Sequence, residues 1–327
     1  MQLNLKWVLV AETLLIIILL TAFILGYISI KSEKPALQET GLLSPRIYSG
    51  LLQPKSFLIV NYLPLRNSLE SYIESNHLNV SVYVVNLRDG ASTGINERAT
   101  YPPASLSKLP MAILIADKVE DGTLKWDTLI PITSSDKNNQ SGSLFKTDVQ
   151  NLPLRVIFDT MLEESDNTAF NILNHYIDSS DYNYLVGDYF GYFRGPVQEK
   201  DNANAQIISP KSMYNIFSSL YLSTVLESQD SEHILDLLTN TAFDIKKVAS
   251  LPDDVIVAQK FAAKYDSGNQ FFHDCGIIYI QEMRVFYCVM TQGLSIEQGI
   301  KVTGFIVNTI YHYSRDTRTY LDELKKS

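Results

Sequence analysis

The chain has 327 residues, 46% hydrophobic and 19% charged, and its 27 basic against 36 acidic side chains leave a net charge of −9. That balance excludes a nucleic-acid binder, which needs a basic footprint to displace counterions from phosphate. The apolar content excludes intrinsic disorder, and 15 glycines with 12 prolines exclude a fibrous or low-complexity chain. A globular protein remains, long enough to bury a sizeable core.

In chain order, the first feature is residues 13–30, an uncharged run dominated by Leu and Ile. As a helix it would span about 27 Å, close to the hydrocarbon core of a bilayer, and it has no polar face. Residues 1–30 are therefore expected to be an N-terminal transmembrane anchor. A cleaved signal peptide is the alternative, disfavoured by the length of the run and by the lack of an A-x-A-like site after it. Lys6 stands before the run and Lys31 and Lys34 after it, so charge leaves the orientation open. Residues 31–57 read as a linker, and residues 58–327 as one globular domain.

Residues 62–73 have the pattern of a short amphipathic helix. Residues 80–87 alternate, are rich in β-branched side chains, and end at Asp89-Gly90, a hairpin signal. From Ser105 to about Ile245 the patterning is mainly helical, clearest at 152–162 and 210–222. Strand character returns at 255–262 and in a hairpin over 276–290, and an amphipathic helix closes the chain at 296–324. Strands at both ends with helices between predict one antiparallel sheet shared by the two ends, a helical lobe, and a cleft between them. A hairpin turn centred between Glu282 and Met283 would set Cys275 opposite Met290 and leave Cys288 diagonal to it, at the edge of disulfide geometry. Two buried thiols are the preferred reading of these cysteines, and a bridge the alternative.

Three short elements carry chemistry. Ser105-Leu106-Ser107-Lys108 follows Pro102-Pro103 and opens an apolar helical run. A hydroxyl at a helix start lies beside free N–H groups and the positive end of the dipole, which suits a nucleophile that forms an oxyanion. Lys108, three residues on, shares its face, and if desolvated it can accept the proton. Pro110 predicts a distorted first turn. Ser165-Asp166-Asn167 sits between two helical runs, where a helix cap is the simple reading; the chemical one makes Ser165 a proton relay and Asn167 a donor to a substrate carbonyl. Gln259-Lys260-Phe261-Ala262-Ala263 ends a β-branched run, where Lys260 is either an edge-strand charge or a cation beside the relay serine.

Ser-x-x-Lys, then Ser-Asp-Asn, then a strand lysine, in that order, resembles the class A β-lactamase and penicillin-binding serine hydrolases over essentially all of residues 58–327. The resemblance implies a two-lobed α/β fold, an antiparallel sheet flanked by helices plus an all-helical lobe. It implies Ser105 as the acylated nucleophile, Lys108 as its base, Ser165 and Lys260 as the proton path to the leaving nitrogen, and Asn167 as an anchor for the acyl side chain. Backbone N–H groups of Ser105 and Ala263 would form the oxyanion hole. No cofactor and no metal are implied, and the five histidines are scattered without ligand spacing. The expected substrate is a β-lactam or a peptidoglycan-like amide, handled by a monomer on the outer side of the cell membrane. Lys108 and Lys260 would give the site a local positive patch within an acidic whole.

Two departures stand beside these matches. The family's Lys-Thr-Gly is here Lys260-Phe261-Ala262, which removes a hydroxyl and adds a methyl where close approach is usual. The family's deacylating Glu-x-x-Leu-Asn is absent, and the corresponding loop offers only Glu199, which reads more simply as a solvated charge. Three readings follow: a β-lactamase, a D,D-peptidase-like or esterase-like enzyme with a long-lived acyl-enzyme, and a non-catalytic wall-binding module.

Overall fold

The computed structural model describes residues 60–191, 193–194, 206–264, 270–281 and 283–324. The anchor segment 13–30, the linker 31–57 and Glu199 lie outside the described residues. No helix among the described residues is long and apolar enough to cross a membrane.

Pro64 in the first turn starts α1 (Leu63–Ser75), whose Leu65, Leu69 and Ile73 recur at helical spacing and are buried. The β-branched run becomes β1 (Val80–Asn86), which turns through Asp89-Gly90 into β2 (Ser92–Ile95). At the other end, β7 (Ile256–Lys264), β8 (Phe271–Ile280) and β9 (Met283–Thr291) follow one another, and α9 (Ile296–Leu324) closes the chain. The five strands form one sheet in the order β2-β1-β9-β8-β7, each pair antiparallel. The expectation that both ends share a sheet is met.

Between β2 and β7 lies the helical lobe. A 3₁₀ turn at Ala104–Ser107 leads into α2 (Lys108–Glu120), and every residue from Leu109 to Ala116 is buried, as in a helix enclosed by protein on all sides. A small hairpin of β3 (Leu129–Pro131) and β4 (Asn151–Pro153) leads into α3 (Leu154–Glu163) and α4 (Asn167–Asn174). After α5 (Ser179–Tyr182) come β5 (Phe193–Arg194) and β6 (Gln206–Ile207), then α6 (Pro210–Leu222), α7 (Ser228–Leu237) and the short α8 (Ile245–Val248). Two cores result. One lies between the sheet and the helical lobe and includes Ile113, Phe158, Phe217 and Phe286. The other lies on the far face, where Val82, Val84, Val289 and Ile306 pack with α1 and α9.

Two sequence expectations are corrected. The hairpin turn is centred one residue earlier than expected, so Ile280 pairs with Met283 and Cys275 stands directly opposite Cys288. The two are joined in a disulfide, with Cα atoms 3.9 Å apart, so they are not free thiols. All ten residues of β8 are buried, so an alternating pattern could not set the register from sequence. Pro110 causes no irregularity inside α2, because it is the third residue of the helix, where the backbone N–H has no intrahelical acceptor anyway. The irregular turn lies before α2, and Ser105 is in it.

Candidate active site

Ser105 sits in the 3₁₀ turn, half-buried, directly after Ala104, whose φ of 41° is a left-handed conformation for a non-glycine residue. The turn runs beside β7 and feeds α2, so Lys108 begins the helix with its side chain directed back toward the serine. Lys108 Nζ donates to Ser105 Oγ at 3.0 Å, to the Ser165 carbonyl at 2.9 Å, to Asn167 Oδ1 at 2.7 Å and, more loosely, to Ser165 Oγ at 3.4 Å. Three residues from two separate segments therefore converge on one nitrogen. Only 2% of Lys108 is exposed. Burial pulls its pKa down from 10.5 to about 8, against a smaller opposing effect of the Asp166 charge.

Ser165 is held at φ 54°, a second left-handed non-glycine residue, and it is fully buried. Asp166 makes the fixed part of this segment. Its Oδ1 accepts from Ala169 N at 2.8 Å and caps α4, while Oδ2 accepts from Leu144 N at 2.8 Å. Asn167 N–H donates to the Ser141 carbonyl at 3.1 Å, and its side-chain amide lies 3.5 Å from Asn138 Oδ1. The simple cap reading is thus realised by Asp166, while Ser165 and Asn167 on either side of it stand at Lys108. Asn138 and the 138–144 loop were not singled out from sequence, and the available signal was the run of polar residues around Gly142.

On β7 the edge is accounted for by backbone bonding. Gln259 N–H donates outward to the Leu238 carbonyl at 2.9 Å, and strand alternation then directs the N–H groups of Phe261 and Ala263 to that same free edge. Ala263 is half-buried on β7, the strand that runs beside the Ser105 turn. Gly276, across from Gln259, has no room for a Cβ, which would lie 2.5 Å from the Ala258 carbonyl.

Lys260 departs from expectation. It is completely buried, and its Nζ has no hydrogen-bond partner among the described residues, Ser165 included. The Phe261 ring lies over Nζ, 4.8 Å from centroid to nitrogen. Burial drives the Lys260 pKa well below its ordinary value, and the nearby Lys108 charge adds to the effect while Asp274 opposes it. The expected positive patch is therefore corrected: both lysines are out of solvent and pushed toward the neutral form. Asp274, on the opposite face of β8, accepts from the Tyr287 hydroxyl at 2.6 Å, and burial raises its pKa to about 8. His273 is stacked on Phe271 at 4.4 Å and met edge-on by Tyr101, and burial lowers it to about 3, so it is neutral. Among the described residues no group of three His, Cys, Asp or Glu side chains is placed to hold a metal ion.

A serine on a strained turn, a buried lysine hydrogen-bonded to it, and an edge strand beside it, all between a sheet and a helical lobe, define a β-lactamase-like serine hydrolase. Residues 64–314 match the model of the β-lactamase enzyme family, and the chain belongs to that family. The β-lactamase VEB-1 of Pseudomonas aeruginosa is 22% identical over 206 residues, covering 59% of this chain and 69% of that protein. Among solved structures, the extended-spectrum β-lactamase TLA-3 superposes with a TM-score of 0.70 at 18% identity, over 78% of this chain and all of that one. PBP-A superposes with a TM-score of 0.68 at 16% identity, over 80% of this chain and all of that one. A variant of PBP-A with a TM-score of 0.68 and 18% identity, covering 81% of this chain and all of that one, is an acyl-enzyme complex with penicillin G.

Proposed function

We propose that Ser105 is acylated by a β-lactam or related amide. Its Oγ attacks the carbonyl carbon while its proton passes to neutral Lys108 Nζ. The oxyanion is held by the N–H groups of Ser105 and Ala263. Collapse breaks the C–N bond, the leaving nitrogen takes a proton through Ser165, and water then cleaves the Ser105 ester. Asn167 holds the acyl side chain. Lys260, without a direct bond to Ser165, acts in this reading by shaping the field around it. The observation that carries the proposal is the 3.0 Å contact between Ser105 Oγ and a lysine whose pKa is lowered to about 8.

A second reading, a penicillin-binding-like enzyme with a long-lived acyl-enzyme, is favoured by one feature. Among the described residues, the hydrogen-bond acceptors of Lys108 are Ser105, Ser165 and Asn167, with no carboxylate among them. In both readings we place the protein as a monomer at the cell membrane, held by residues 13–30 with its catalytic domain outside.

The test uses a chromogenic cephalosporin, a fluorescent penicillin and a fluorophosphonate probe. Turnover lost in Ser105→Ala supports the lactamase. Stable labelling at Ser105 without turnover supports the second reading. A Ser105 inert to all three reagents would sink both.

A further inference from the structure

Hydrolysis of an acylated Ser105 needs a water whose oxygen bonds to the acyl carbon while one of its protons goes to a base. The C–O bond to Ser105 then breaks, and Oγ takes a proton back. Among the described residues, the ionisable group hydrogen-bonded to Ser105 is Lys108, so the fate of the ester turns on whether a water can be held at Nζ. An ammonium has three N–H groups to donate. Ser105 Oγ, the Ser165 carbonyl and Asn167 Oδ1, all within 3.0 Å, take up all three.

Beside these oxygens stands an aromatic ring. Phe170 follows Asn167 by three residues on α4, so the two share a helix face, and the Phe170 centroid lies 5.9 Å from Lys108 Nζ. The ring is half-buried and packs on the lobe-side core, which holds it in place. At that distance it adds little cation–π attraction, and the gap left between ring and nitrogen is about the width of one water. A water there would meet an aromatic face where a second polar partner should be, and an ordered water needs about two to four such partners. Dryness at Nζ also agrees with the burial that lowers the Lys108 pKa.

We propose that Phe170 is an apolar wall beside Lys108 that denies the hydrolytic water its seat, so that Ser105 stays acylated far longer than it takes to react. This rests on the reading of Ser105 as an acylated nucleophile, which both forms of the proposed function share, and it selects the long-lived acyl-enzyme. Phe170 acts by excluding water, so removing its apolar character should make one step faster.

The experiment follows a fluorescent penicillin on the full chain. Intact-protein mass spectrometry reads the adduct on Ser105, and its loss is timed after free probe is removed. A general base is worth about 10²–10⁴-fold, so labelling of the wild type should outrun loss of the adduct by at least about a hundredfold. Phe170→Leu keeps an apolar side chain and should keep that ratio. Phe170→Gln is close to leucine in size but offers the water an amide. It should shorten the lifetime of the adduct by about tenfold, roughly what one added hydrogen bond is worth.

A wild-type adduct lost as fast as it forms overturns the proposal, whether or not either variant folds. Equal adduct lifetimes in folded Phe170→Leu and Phe170→Gln also overturn it, since a merely structural role would alter labelling in both and leave the lifetimes alike. If Ser105 is inert to this probe, to the cephalosporin and to the fluorophosphonate, the acyl-enzyme reading has failed and takes the proposal with it. A Ser105 that is acylated and promptly freed fails the proposal alone.

Discussion

At the scale of single residues, Lys108 holds the site together. Its nitrogen is out of water and surrounded by oxygen acceptors, and burial brings its pKa to about 8. The sign of the pH effect follows. Below pH 8 the lysine is mostly an ammonium and cannot take the Ser105 proton, and above pH 8 it is mostly a free base. Acylation should therefore rise about tenfold per pH unit on the acid side and level off near pH 8. Lys108→Met should flatten that limb and lower the rate at pH 8 by at least about a hundredfold. Single-turnover release of the leaving group between pH 6 and 9.5 reads both, and a limb that survives in Lys108→Met would assign the titration to another group. Folding carries the same signature: the unfolded lysine titrates near 10.5, so between about pH 8 and 10.5 the unfolded chain binds more protons and stability rises with pH.

At the scale of elements, the site depends on the 132–147 loop as much as on the helices. Asp166 caps α4 and also fixes Leu144 N, Asn167 N–H bonds Ser141, and Asn138 N–H bonds the Thr168 hydroxyl at 2.9 Å. Gly142 makes this possible. Its φ is 85°, and a Cβ there would lie 2.0 Å from Asp166 Oδ2. Gly142→Ala should therefore combine backbone strain with displacement of the Asp166 carboxylate. It is expected to cost about 2–4 kcal/mol in urea unfolding, and to lower kcat/KM more than kcat through the shift of Asn167. A variant that unfolds at the wild-type midpoint would mean that the loop and α4 are not coupled. The role of this loop was not legible in the sequence, because it depends on hydrogen bonds between residues more than 20 positions apart, and a polar run before a motif shows only that a turn exists.

At the scale of the whole molecule, what could be read from sequence was local and what could not was register and reach. Ser105, Lys108, Ser165 and Asn167 were visible because each lies in a short motif, and the shared sheet because strand patterning stood at both ends. The facing of Cys275 and Cys288 was hidden because β8 is buried on both sides, and the complete burial of Lys260 because it depends on packing from other segments. The sheet also separates two cores, and Ser105 belongs to only one of them. Leu106, fully buried, packs in the lobe-side core directly after Ser105, while Ile306, equally buried, packs on the far side from α9. Truncating either to alanine removes a similar volume, so each should cost about 2–5 kcal/mol of stability. Their effects on chemistry should differ. Leu106→Ala loosens the turn that aims Ser105 and should slow acylation by about tenfold to a hundredfold, since small misplacements of a nucleophile are costly. Ile306→Ala leaves the lobe-side core intact and should acylate within about twofold of wild type once folded, as expected for sites that share no partners. Urea midpoints together with single-turnover acylation, measured where both variants are more than 95% folded, separate the two effects. Equal slowing by both would mean that the sheet transmits far-side packing to Ser105, and that the two cores act as one.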